Sequence, residues 1–567
     1  MLNAYPRIHH RIISAAFGAS LLASLGYAPS AAWSWETAHG PPGNTGFVDI
    51  ATVPAGKGSV TVPGLGAFAP GAGPVIAPDG TVYLGTTQGK LIALHADGKP
   101  FWSRDITPGQ TIVASPAIAS DGSIYVIGVE TIRDKRVNPP KVTVTSTLHR
   151  FNSSGAWLAQ IPFPGHGGIG PAAVASPNIG RFGSIEAIFV PTLYPIRLRG
   201  RPMVRLVAFD LNGLVLDDVV MLGFASDITG GSGIGDWELI DFKPRPGNVP
   251  LVKVPPTPGI GIGTRGGAPH ILASDGFGDV IGYSFTNRRL KETFRLRREG
   301  FLTQTPPVVL SDSRAAIGLQ GPLQDYGYPA DLGGLLLTTP DRTGFVDKIK
   351  SSFAAPTRLP DGRIAVVGNF GEVTVVSGAQ VAATMQAPGR SIASAAASRT
   401  HLFVSAEDGF VTYDAKTLAE VSRIDWVGGG LNPPAIGPQG HVYAIASNIL
   451  FVFPPPIKKP KTVLNQVPGG LPVATQPGPA TGPQQQSYKP PMTANGNRLF
   501  ACEELDGDDC GKGDYQTIAK AFCVKQGHAD AKDHDVDSKK VKAETLDGRY
   551  CSKSKCKVFE QIVCANN

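Results

Sequence analysis

Three phrases near the start of the chain decide its fold: Ile76-Ala-Pro-Asp-Gly-Thr-Val-Tyr-Leu-Gly85, Gln88-Gly-Lys-Leu-Ile-Ala-Leu94 and Asp97-Gly-Lys-Pro-Phe-Trp-Ser103. Each couples a short apolar run to a turn that contains glycine. This pattern is typical of antiparallel strands joined as hairpins. Where nothing is inserted, the phrase returns about every 40 residues, a period that favours the blades of a β-propeller. Related copies are Ser120-Asp-Gly-Ser-Ile-Tyr125, Pro360-Asp-Gly-Arg-Ile-Ala365, Ser398-Arg-Thr-His-Leu-Phe403 and Pro438-Gln-Gly-His-Val-Tyr443.

The second half of the repeat occurs eight times, which predicts an all-β, eight-bladed propeller of four-stranded antiparallel blades over residues 33–453. Its apolar strands are centred on Leu91, Leu148, Leu206, Val280, Leu336, Val373, Val411 and Ile449. Most innermost strands are expected to open with a proline, which is tolerated at a strand start. The predicted openings are Gly73-Pro74, Ser115-Pro116, Gly170-Pro171, Pro306-Pro307, Ala355-Pro356 and Pro433-Pro434.

The last repeat stops early, because Pro454-Pro-Pro456 follows its third strand directly. An open sheet edge there would invite aggregation. We therefore predict that Phe47-Val-Asp-Ile50 or Ser59-Val-Thr-Val62, near the start of the mature chain, supplies the missing outer strand and closes the ring.

The repeat resembles the pyrroloquinoline-quinone-like β-propeller family. The resemblance rests on Asp79-Gly80 with Val82-Tyr83, on Gly89-x-Leu91-x-Ala93, and on Gly98 with Trp102, and it covers roughly residues 33–456. Trp35, Gly40 and Asn44-Thr-Gly46 also look like the family's usual approach to the ring. The resemblance implies either a quinone-dependent alcohol dehydrogenase or a non-catalytic scaffold, since the family includes an outer-membrane-assembly lipoprotein.

Residues 1–32 are predicted to be a secretory signal. Arg7 and Arg11 precede a short apolar core, and Ser30-Ala31-Ala32 is a small-residue cleavage site. No other segment has the length and apolarity of a membrane span. The formal charge of +7 falls to +5 when Arg7 and Arg11 leave with the signal. A balance this mild does not favour nucleic-acid binding.

The chain beyond the ring divides into a spacer and a small module. Residues 454–497 are rich in proline and glutamine and are predicted to be an extended linker. Residues 498–567 are predicted to form a disulfide-rich α+β domain, with a helix at Tyr515 to Gln526 and a strand at Val558 to Val563. It carries every cysteine of the chain: Cys502, Cys510, Cys523, Cys551, Cys556 and Cys564. In an exported protein this even number implies disulfides, whose pairing the sequence leaves open.

Long insertions point to a recognition surface. They are Val129 to Val144, Thr192 to Met203, Gly321 to Gly333 and the connector Asp227 to Gly267. In a four-stranded meander, all four are expected on one face of the ring. The first two carry the predicted partner-binding residues Arg133, Lys135, Arg136, Lys141, Arg197, Arg199 and Arg201. Clustered loops on a rigid ring often bind partners, and a basic patch attracts acidic proteins, anionic glycans or lipid headgroups. Solvated loop charge without a partner is the alternative.

No catalytic or metal-ligating set is predicted. A quinone-dependent dehydrogenase of this family usually has an adjacent pair of cysteines under its cofactor. This chain has no such pair, and no cysteine lies in the propeller. Gly261-x-Gly263-x-x-Gly266 matches a dinucleotide fingerprint but is predicted to be a turn in a loop, with no helix after it. Asp506 to Thr517 imitates a calcium loop but has Thr517 where a glutamate is needed. Trp102, Trp157 and Trp426 are predicted to pack between blades.

The sequence thus predicts a non-catalytic binding or assembly scaffold of the bacterial envelope, periplasmic or secreted, without a cofactor. Its partner would be an envelope protein, an anionic glycan or a lipid headgroup. One alternative is a quinone-dependent oxidoreductase. A second is envelope polysaccharide binding by the C-terminal module, whose predicted basic residues are Lys539, Lys540, Lys542, Arg549, Lys553, Lys555 and Lys557.

Overall fold

The computed structural model describes residues 35–56, 58–134, 136, 141–166, 170–173, 175–198, 201–221, 259–276, 278–297, 301–303, 305–320, 332–338, 343–456, 485–489, 491, 498–499, 501, 512–525, 530–539, 543–544 and 556–565. The chain forms two compact units, Met1–Lys459 and Pro460–Asn567. The signal predicted for residues 1–32 lies outside the described part. Within that part, no helix has both the length and the apolar character needed to cross a bilayer.

The first unit consists of eight antiparallel sheets of four main strands, and each sheet is one blade. The first strand in the chain, β1 (Val60–Val62), belongs to the last blade. Blade 1 contains β2 (Val75–Ile76), β3 (Val82–Gly85), β4 (Lys90–Leu94) and β5 (Pro100–Asp105). Blade 2 contains β6 (Thr111–Ile112), β7 (Ala117–Ile118), β8 (Ile124–Asp134), β9 (Lys141–Phe151) and β10 (Trp157–Pro162). Blade 3 contains β11 (Asn178–Phe182), β12 (Ile185–Leu198), β13 (Arg201–Asp210) and β14 (Val215–Val220).

The remaining blades repeat the same order from the innermost to the outermost strand. Blade 4 contains β15 (Gly259–Arg265), β16 (Ala268–Ser274), β17 (Asp279–Thr286) and β18 (Arg289–Arg297). Blade 5 contains β19 (Val308–Ser311), β20 (Arg314–Gln320), β21 (Leu332–Thr338) and β22 (Thr343–Lys350). Blade 6 contains β23 (Thr357–Arg358), β24 (Ile364–Val367), β25 (Glu372–Ser377) and β26 (Gln380–Gln386). Blade 7 contains β27 (Ala396–Ala397), β28 (His401–Ala406), β29 (Gly409–Asp414) and β30 (Glu420–Asp425).

Blade 8 joins both ends of the propeller sequence. It contains β31 (Ala435–Ile436), β32 (Val442–Ala446) and β33 (Ile449–Phe453), and its outermost strand is β1. The pairing is antiparallel, with Val60 opposite Val452 and Val62 opposite Leu450. Its innermost strand β31 lies against β2 of blade 1, so the ring is closed. The prediction that either Phe47–Ile50 or Ser59–Val62 completes the final blade is confirmed for the second segment. Phe47 of the first segment instead bridges to Ala397.

Strand alternation assigns each connection to one face of the ring. The chain reaches each first strand from the preceding blade, crosses the ring four times, and therefore makes its second-to-third turn on the face where it arrived. We call this the hairpin face, because the hairpins β8–β9 and β12–β13 extend on it. The opposite face carries the other turns, such as Asp79-Gly80 and Asn152–Gly155. The predicted insertions Val129 to Val144 and Thr192 to Met203 extend on the hairpin face where they are described. Residues 222–258 and 321–331, which hold most of the other two insertions, are not described, so their place on this face remains a prediction.

Two boundaries differ from the sequence prediction. The innermost strand of blade 3 follows Ser176-Pro177, whereas the predicted opening Gly170-Pro171 lies in the preceding connector. The local signal, a small residue before proline, is the same at both places, so sequence alone does not separate them. The connector before blade 4 ends before Gly259, since Gly259–Arg265 is itself a strand. The glycine motif within it is therefore strand and turn, and not a loop.

Two of the three predicted packing tryptophans fill gaps between blades. The indole N–H of Trp102 donates to the carbonyl oxygen of Ser153 in the next blade, at 2.9 Å. Trp426 lies between the rings of Phe410 and Phe451, with centroid distances of 5.2 Å to each. Trp157 departs from the prediction, because 48% of it is exposed on the outer strand of blade 2.

The second unit is a small α+β module, as predicted. Helix α1 (Lys512–Lys525) packs on a sheet ordered β34 (Gln485–Tyr488), β38 (Cys556–Ala565) and β36 (Asp530–Lys539). Two shorter strands, β35 (Arg498–Leu499) and β37 (Ala543–Glu544), pair in parallel. Strand β34 lies within the predicted linker, so the linker is shorter than the sequence indicated.

One disulfide of the module is described. Cys523 on α1 is bonded to Cys564 on β38, and both residues belong to a core with Phe522, Phe559 and Ile562. The pairing of Cys502, Cys510, Cys551 and Cys556 remains a prediction, because their side chains lie outside the described residues.

Candidate functional site

The segment from Trp35 to Ile50 closes one end of the central channel. It runs past the innermost strands of successive blades and forms backbone hydrogen bonds with them. The pairs, donor first, are Ile76 to Trp35 (2.8 Å), Ile118 to Glu36 (3.0 Å), Ile262 to Pro42 (2.8 Å), Val309 to Gly43 (2.8 Å), Arg358 to Thr45 (2.8 Å), Ala397 to Gly46 (2.7 Å) and Arg399 to Ile50 (2.9 Å). The segment therefore contacts blades 1, 2, 4, 5, 6 and 7, and Asn178 of blade 3 reaches it with its side chain.

Asn44 ties this segment to blades 4 and 5. Its side-chain N–H group donates to the carbonyl oxygens of Ile260 and, at 3.3 Å, of Pro307. The two strands approach closely here, since a Cβ on Gly261 would lie 2.3 Å from the Pro307 oxygen. The glycines of the fingerprint-like motif thus permit strand contact, and they do not bind a dinucleotide in this arrangement.

Replacing Asn44 by Asp tests this junction. The change keeps the shape but replaces an N–H donor with a carboxylate oxygen that faces two carbonyl oxygens. We expect the free energy of unfolding to fall by about 2–4 kcal/mol, because a buried acceptor is left facing acceptors. Denaturant unfolding measures the loss. Asn152→Asp is the matched control, because there the side-chain oxygen already accepts from the N–H groups of Ser154 and Ala156. Equal losses in the two variants would refute the assigned role.

A cavity of about 120 Å³ lies between this segment and the hairpin face. Its wall receives at least one residue from every blade. Blades 1, 3, 5 and 8 contribute the prolines Pro70, Pro177, Pro306 and Pro433. Blades 2, 4, 6 and 7 contribute Val113, Ile260, Phe353 and Ile392.

The position of the lining residues sets the orientation of this central cavity. The wall residues precede or begin the innermost strands, and therefore lie toward the hairpin face. Partners of the Trp35–Ile50 segment, such as Ile76 and Arg358, end the same strands. The segment thus forms the floor with Thr37, Ala38, His39 and Asn44, and the cavity lies on the side of the hairpin face.

The floor is polar but carries no ionised side chain. Burial lowers the pKa of His39 from 6.5 to about 4, so its ring is neutral at neutral pH. The ring is half-buried, and no hydrogen bond among the described residues engages its Nδ1. The described lining contains no aspartate, glutamate, lysine or arginine. The cavity is therefore suited to a neutral group.

Histidine burial gives the propeller a specific pH dependence. Burial also lowers the pKa of His149 and of His270 to about 4. The unfolded chain takes up protons that these folded-state rings resist, so stability is full above about pH 6.5 and falls as the pH drops toward 4. We expect a loss of about 1–2 kcal/mol per buried histidine between pH 7 and pH 5, measured by urea unfolding.

A histidine substitution tests whether the buried histidines cause this loss of stability at low pH. His149→Gln should reduce the difference between pH 7 and pH 5 by at most about one third, since His39 and His270 share the effect. Burial also lowers the pKa of His401 and of His441, which adds to the part that remains. If His149→Gln keeps the full difference, the buried rings are not its source.

The two long hairpins are extended sheets and not irregular loops. Strands β8 and β9 have 11 residues each, whereas β3 and β4 of blade 1 have 4 and 5. The incoming connector braces each hairpin at its base: β6 pairs with β8, and Ala172 bridges to Leu193 of β12. Blade 5 has the same arrangement, because Leu302 of its incoming connector bridges to Gln320 at the end of β20. These braces hold the hairpin bases firmly on the ring.

Five of the seven predicted partner-binding residues, namely Arg133, Arg136, Lys141, Arg197 and Arg201, are described, and they lie at the ends of these two hairpins. In register, Arg133 is opposite Val142, Lys141 is opposite Asp134, and Arg201 is opposite Leu198. Arg197 is opposite Pro202 in the second hairpin. The described members lie on neighbouring blades, and Arg136 is exposed. The side chains of Arg133, Lys141, Arg197 and Arg201, and the whole of Lys135 and Arg199, lie outside the described part. Their role in binding remains a prediction.

Sequence reasoning did not find the cavity. It noted Trp35, Gly40 and Asn44-Thr-Gly46 as the approach to the ring, but not that these residues floor the channel. The available signal was the stretch Asn44-Thr-Gly46, because Asn and Gly are the residues that adopt left-handed turns most readily. The structure gives Asn44 a positive φ of 55°. The cavity is lined by residues of all eight blades, which lie far apart in the chain.

The lining does not fit the quinone cofactor of the dehydrogenase alternative. That cofactor is a fused three-ring molecule with three carboxylates, and burying those charges requires cationic or metal partners. The described lining supplies none, and ligand pockets for molecules of that size measure about 300–1,000 Å³. Across the described residues, no group of three or more His, Cys, Asp or Glu side chains is arranged to hold a metal.

Comparison with known proteins finds related folds only among solved structures. No protein-family model matches the chain, and no curated protein matches it. BamB from Moraxella catarrhalis is 14% identical, with a TM-score of 0.45 over 71% of this chain and 99% of that chain. Quinohemoprotein alcohol dehydrogenase from Comamonas testosteroni is 12% identical, with a TM-score of 0.39 over 74% and 80%. Streptogramin B lyase is 11% identical, with a TM-score of 0.36 over 70% and 98%.

Proposed function

We propose that this protein is an exported, non-catalytic scaffold of a bacterial envelope, in the periplasm or outside the cell, which binds a partner on its hairpin face. The observation that carries the proposal is the pair of long hairpins on blades 2 and 3, braced at their bases by connector strands. Rigid elements that present extended edges lose little entropy on binding. The arrangement therefore favours recognition over catalysis.

Charge indicates the kind of partner. The tips of the two hairpins together carry seven lysine or arginine residues between residues 133 and 201. Such a patch attracts an acidic surface and accelerates encounter with it. We therefore expect an envelope protein with an acidic face, and the test below separates it from an anionic glycan or a lipid headgroup.

Two shortened variants test the proposal. Residues 132–143 and 195–202 are each replaced by Asn-Gly, a dipeptide that closes a two-residue hairpin. The paired residues Thr131 and Val144, and Tyr194 and Met203, then flank the new turns. Affinity purification from cells, quantified by mass spectrometry, should recover the partner at least tenfold less than the intact chain does, with an unchanged unfolding midpoint.

A charge-only variant is the matched control. It keeps both hairpins and changes all seven basic residues to glutamine. If the shortened variants and the charge-only variant all lose recovery of the partner, binding depends on charge. If only the shortened variants lose it, binding depends on the shape of the hairpins. Recovery of lipid or glycan without protein would identify the other partner classes. Undiminished recovery by every variant would overturn the proposal.

A further inference from the structure

One stretch of chain joins the two long hairpins at their bases. It is the connector between β10 and β11, which is described at residues 163–166, 170–173 and 175–177. This connector forms hydrogen bonds both with the β8–β9 hairpin of blade 2 and with the β12–β13 hairpin of blade 3. A contiguous set of contacts of this kind can transmit a displacement of one hairpin to the other.

On the blade 2 side, the contact centres on Ser146 of β9, which is 4% exposed. Its hydroxyl donates to the carbonyl oxygen of Pro171 and accepts from the N–H group of Ala173, each at 2.9 Å. Its own carbonyl oxygen accepts from the N–H group of Phe163 at 3.2 Å. One buried serine therefore holds the connector both at residue 163 and at residues 171–173.

Apolar packing continues from this serine to the base of the second hairpin. Val144 of β9, Phe163 and Ala172 of the connector, and Leu193 of β12 belong to one buried core cluster. Ala172 and Leu193 also exchange two backbone hydrogen bonds, at 2.7 and 2.9 Å. A change that loosens the connector on blade 2 should therefore reach Leu193 on blade 3.

On the blade 3 side, His166 adds a polar tie. Its Nε2 donates to a carboxylate oxygen of Asp218 on β14, at 2.9 Å. Arg205 of β13 donates to the other oxygen of the same carboxylate, at 2.6 Å. The imidazole ring also lies edge-on to Tyr194 of β12, with a centroid distance of 5.0 Å. The connector is thus held against three strands of blade 3.

We propose that the two hairpins and this connector act as one rigid fork, and that the fork binds a folded protein whose acidic surface touches both hairpins at once. The proposal rests on the proposed function and names the kind of partner. The basic residues of both hairpins complement an acidic surface. A fixed spacing lets the second contact form without further ordering, which strengthens binding only when the partner is itself rigid. A flexible acidic peptide or glycan adjusts to any spacing and gains little from a fork.

Hydrogen exchange tests the fork without the partner. Ser146→Ala in the full chain removes a hydroxyl on the blade 2 side alone. In hydrogen–deuterium exchange followed by mass spectrometry, the peptide that contains Leu193 on blade 3 should then exchange roughly fivefold faster, the effect of about one hydrogen bond on a local opening. Unchanged exchange of this peptide in a folded Ser146→Ala variant would overturn the fork.

Ser391→Ala is the matched control. The hydroxyl of Ser391 likewise donates to a carbonyl oxygen, that of Ser405 at 2.7 Å, and accepts from an N–H group, that of Ala393 at 3.1 Å. It lies in the connector before blade 7, away from both hairpins. This variant should leave the Leu193 peptide unchanged, and an equal acceleration in both variants would overturn the proposal.

A second variant keeps the test decisive if Ser146→Ala unfolds the propeller. His166→Ala removes the contact with Asp218 from a partly exposed position. The amide of Ala173, which is bonded to Ser146 on blade 2, should then exchange faster. Unchanged exchange at Ala173 would overturn the proposal in the same way.

Partner recovery from cells separates the fork from the proposed function. Ser146→Ala should recover the partner roughly fivefold less than the intact chain although both hairpins are complete. Each shortened variant alone should lose as much as the two combined. Faster exchange at Leu193 with undiminished recovery, or half recovery by each shortened variant, would overturn the rigid partner and leave the scaffold function standing. Undiminished recovery with both hairpins shortened would instead remove the scaffold function, whatever the exchange shows.

Discussion

Removal of residues 35–62 should prevent the ring from forming a stable propeller. The deletion takes away the outermost strand of blade 8 and the segment that joins six blades by backbone hydrogen bonds. It also removes Trp35 and Val48 from the core cluster that includes Tyr443 and Phe453. The loss should exceed about 5 kcal/mol, comparable to the whole stability of many domains. Calorimetry should show no cooperative transition of the propeller.

A truncation at the other end is the control for this deletion. A chain that ends at residue 456 lacks the linker and the C-terminal module, but keeps every blade. It should unfold cooperatively at the midpoint of the intact chain's propeller. A native-like transition in the N-terminal deletion would show that neither β1 nor the channel floor is needed.

Loss of the described disulfide should unfold the C-terminal module. Cys523 and Cys564 are 41 residues apart, and closing a loop of that length stabilises a fold by about 4 kcal/mol in the chain-entropy account. A module of this size has little other stability to offset the loss. In the double variant Cys523→Ser with Cys564→Ser, the module should therefore already be unfolded at 37 °C, and its thermal transition should be absent.

The propeller is an internal reference for that measurement. It contains no cysteine, because the first one in the chain is Cys502. Its own transition should stay in place in the serine variant and in the presence of a reductant. A module transition that persists unchanged would mean that Cys523–Cys564 adds little to its stability.

The closure of the ring was predictable because the last repeat lacks its fourth strand. The last repeat stops at Pro454-Pro-Pro456 after three strands, and an exposed edge requires a partner. Alternating apolar runs with glycine turns likewise indicated the blades, because that pattern is local to each hairpin. The helix around Phe522 and the strand around Val558 were also recovered, since both carry their own periodicity.

The remaining features depend on contacts that no local pattern encodes. Ser176-Pro177 and Gly170-Pro171 look alike, and only packing decides which one begins a strand. In the sequence, the glycines of β15 look like part of a loop. The structure shows that Gly261 lies in a strand and allows the backbone of Pro307 to approach closely. The cavity arises from residues of all eight blades, more than 350 residues apart at the extremes (Pro70 and Pro433). The sequence therefore predicted where the hairpins lie, but not the site at the centre of their face.

Photo-crosslinking from the two faces in living cells tests the central claim most directly. A photoreactive amino acid replaces Ile132, an exposed residue on the β8–β9 hairpin, or Asp79, an exposed turn residue on the opposite face. The account predicts one defined crosslinked protein from position 132 and none from position 79. Capture of the same protein mainly from position 79 would contradict it.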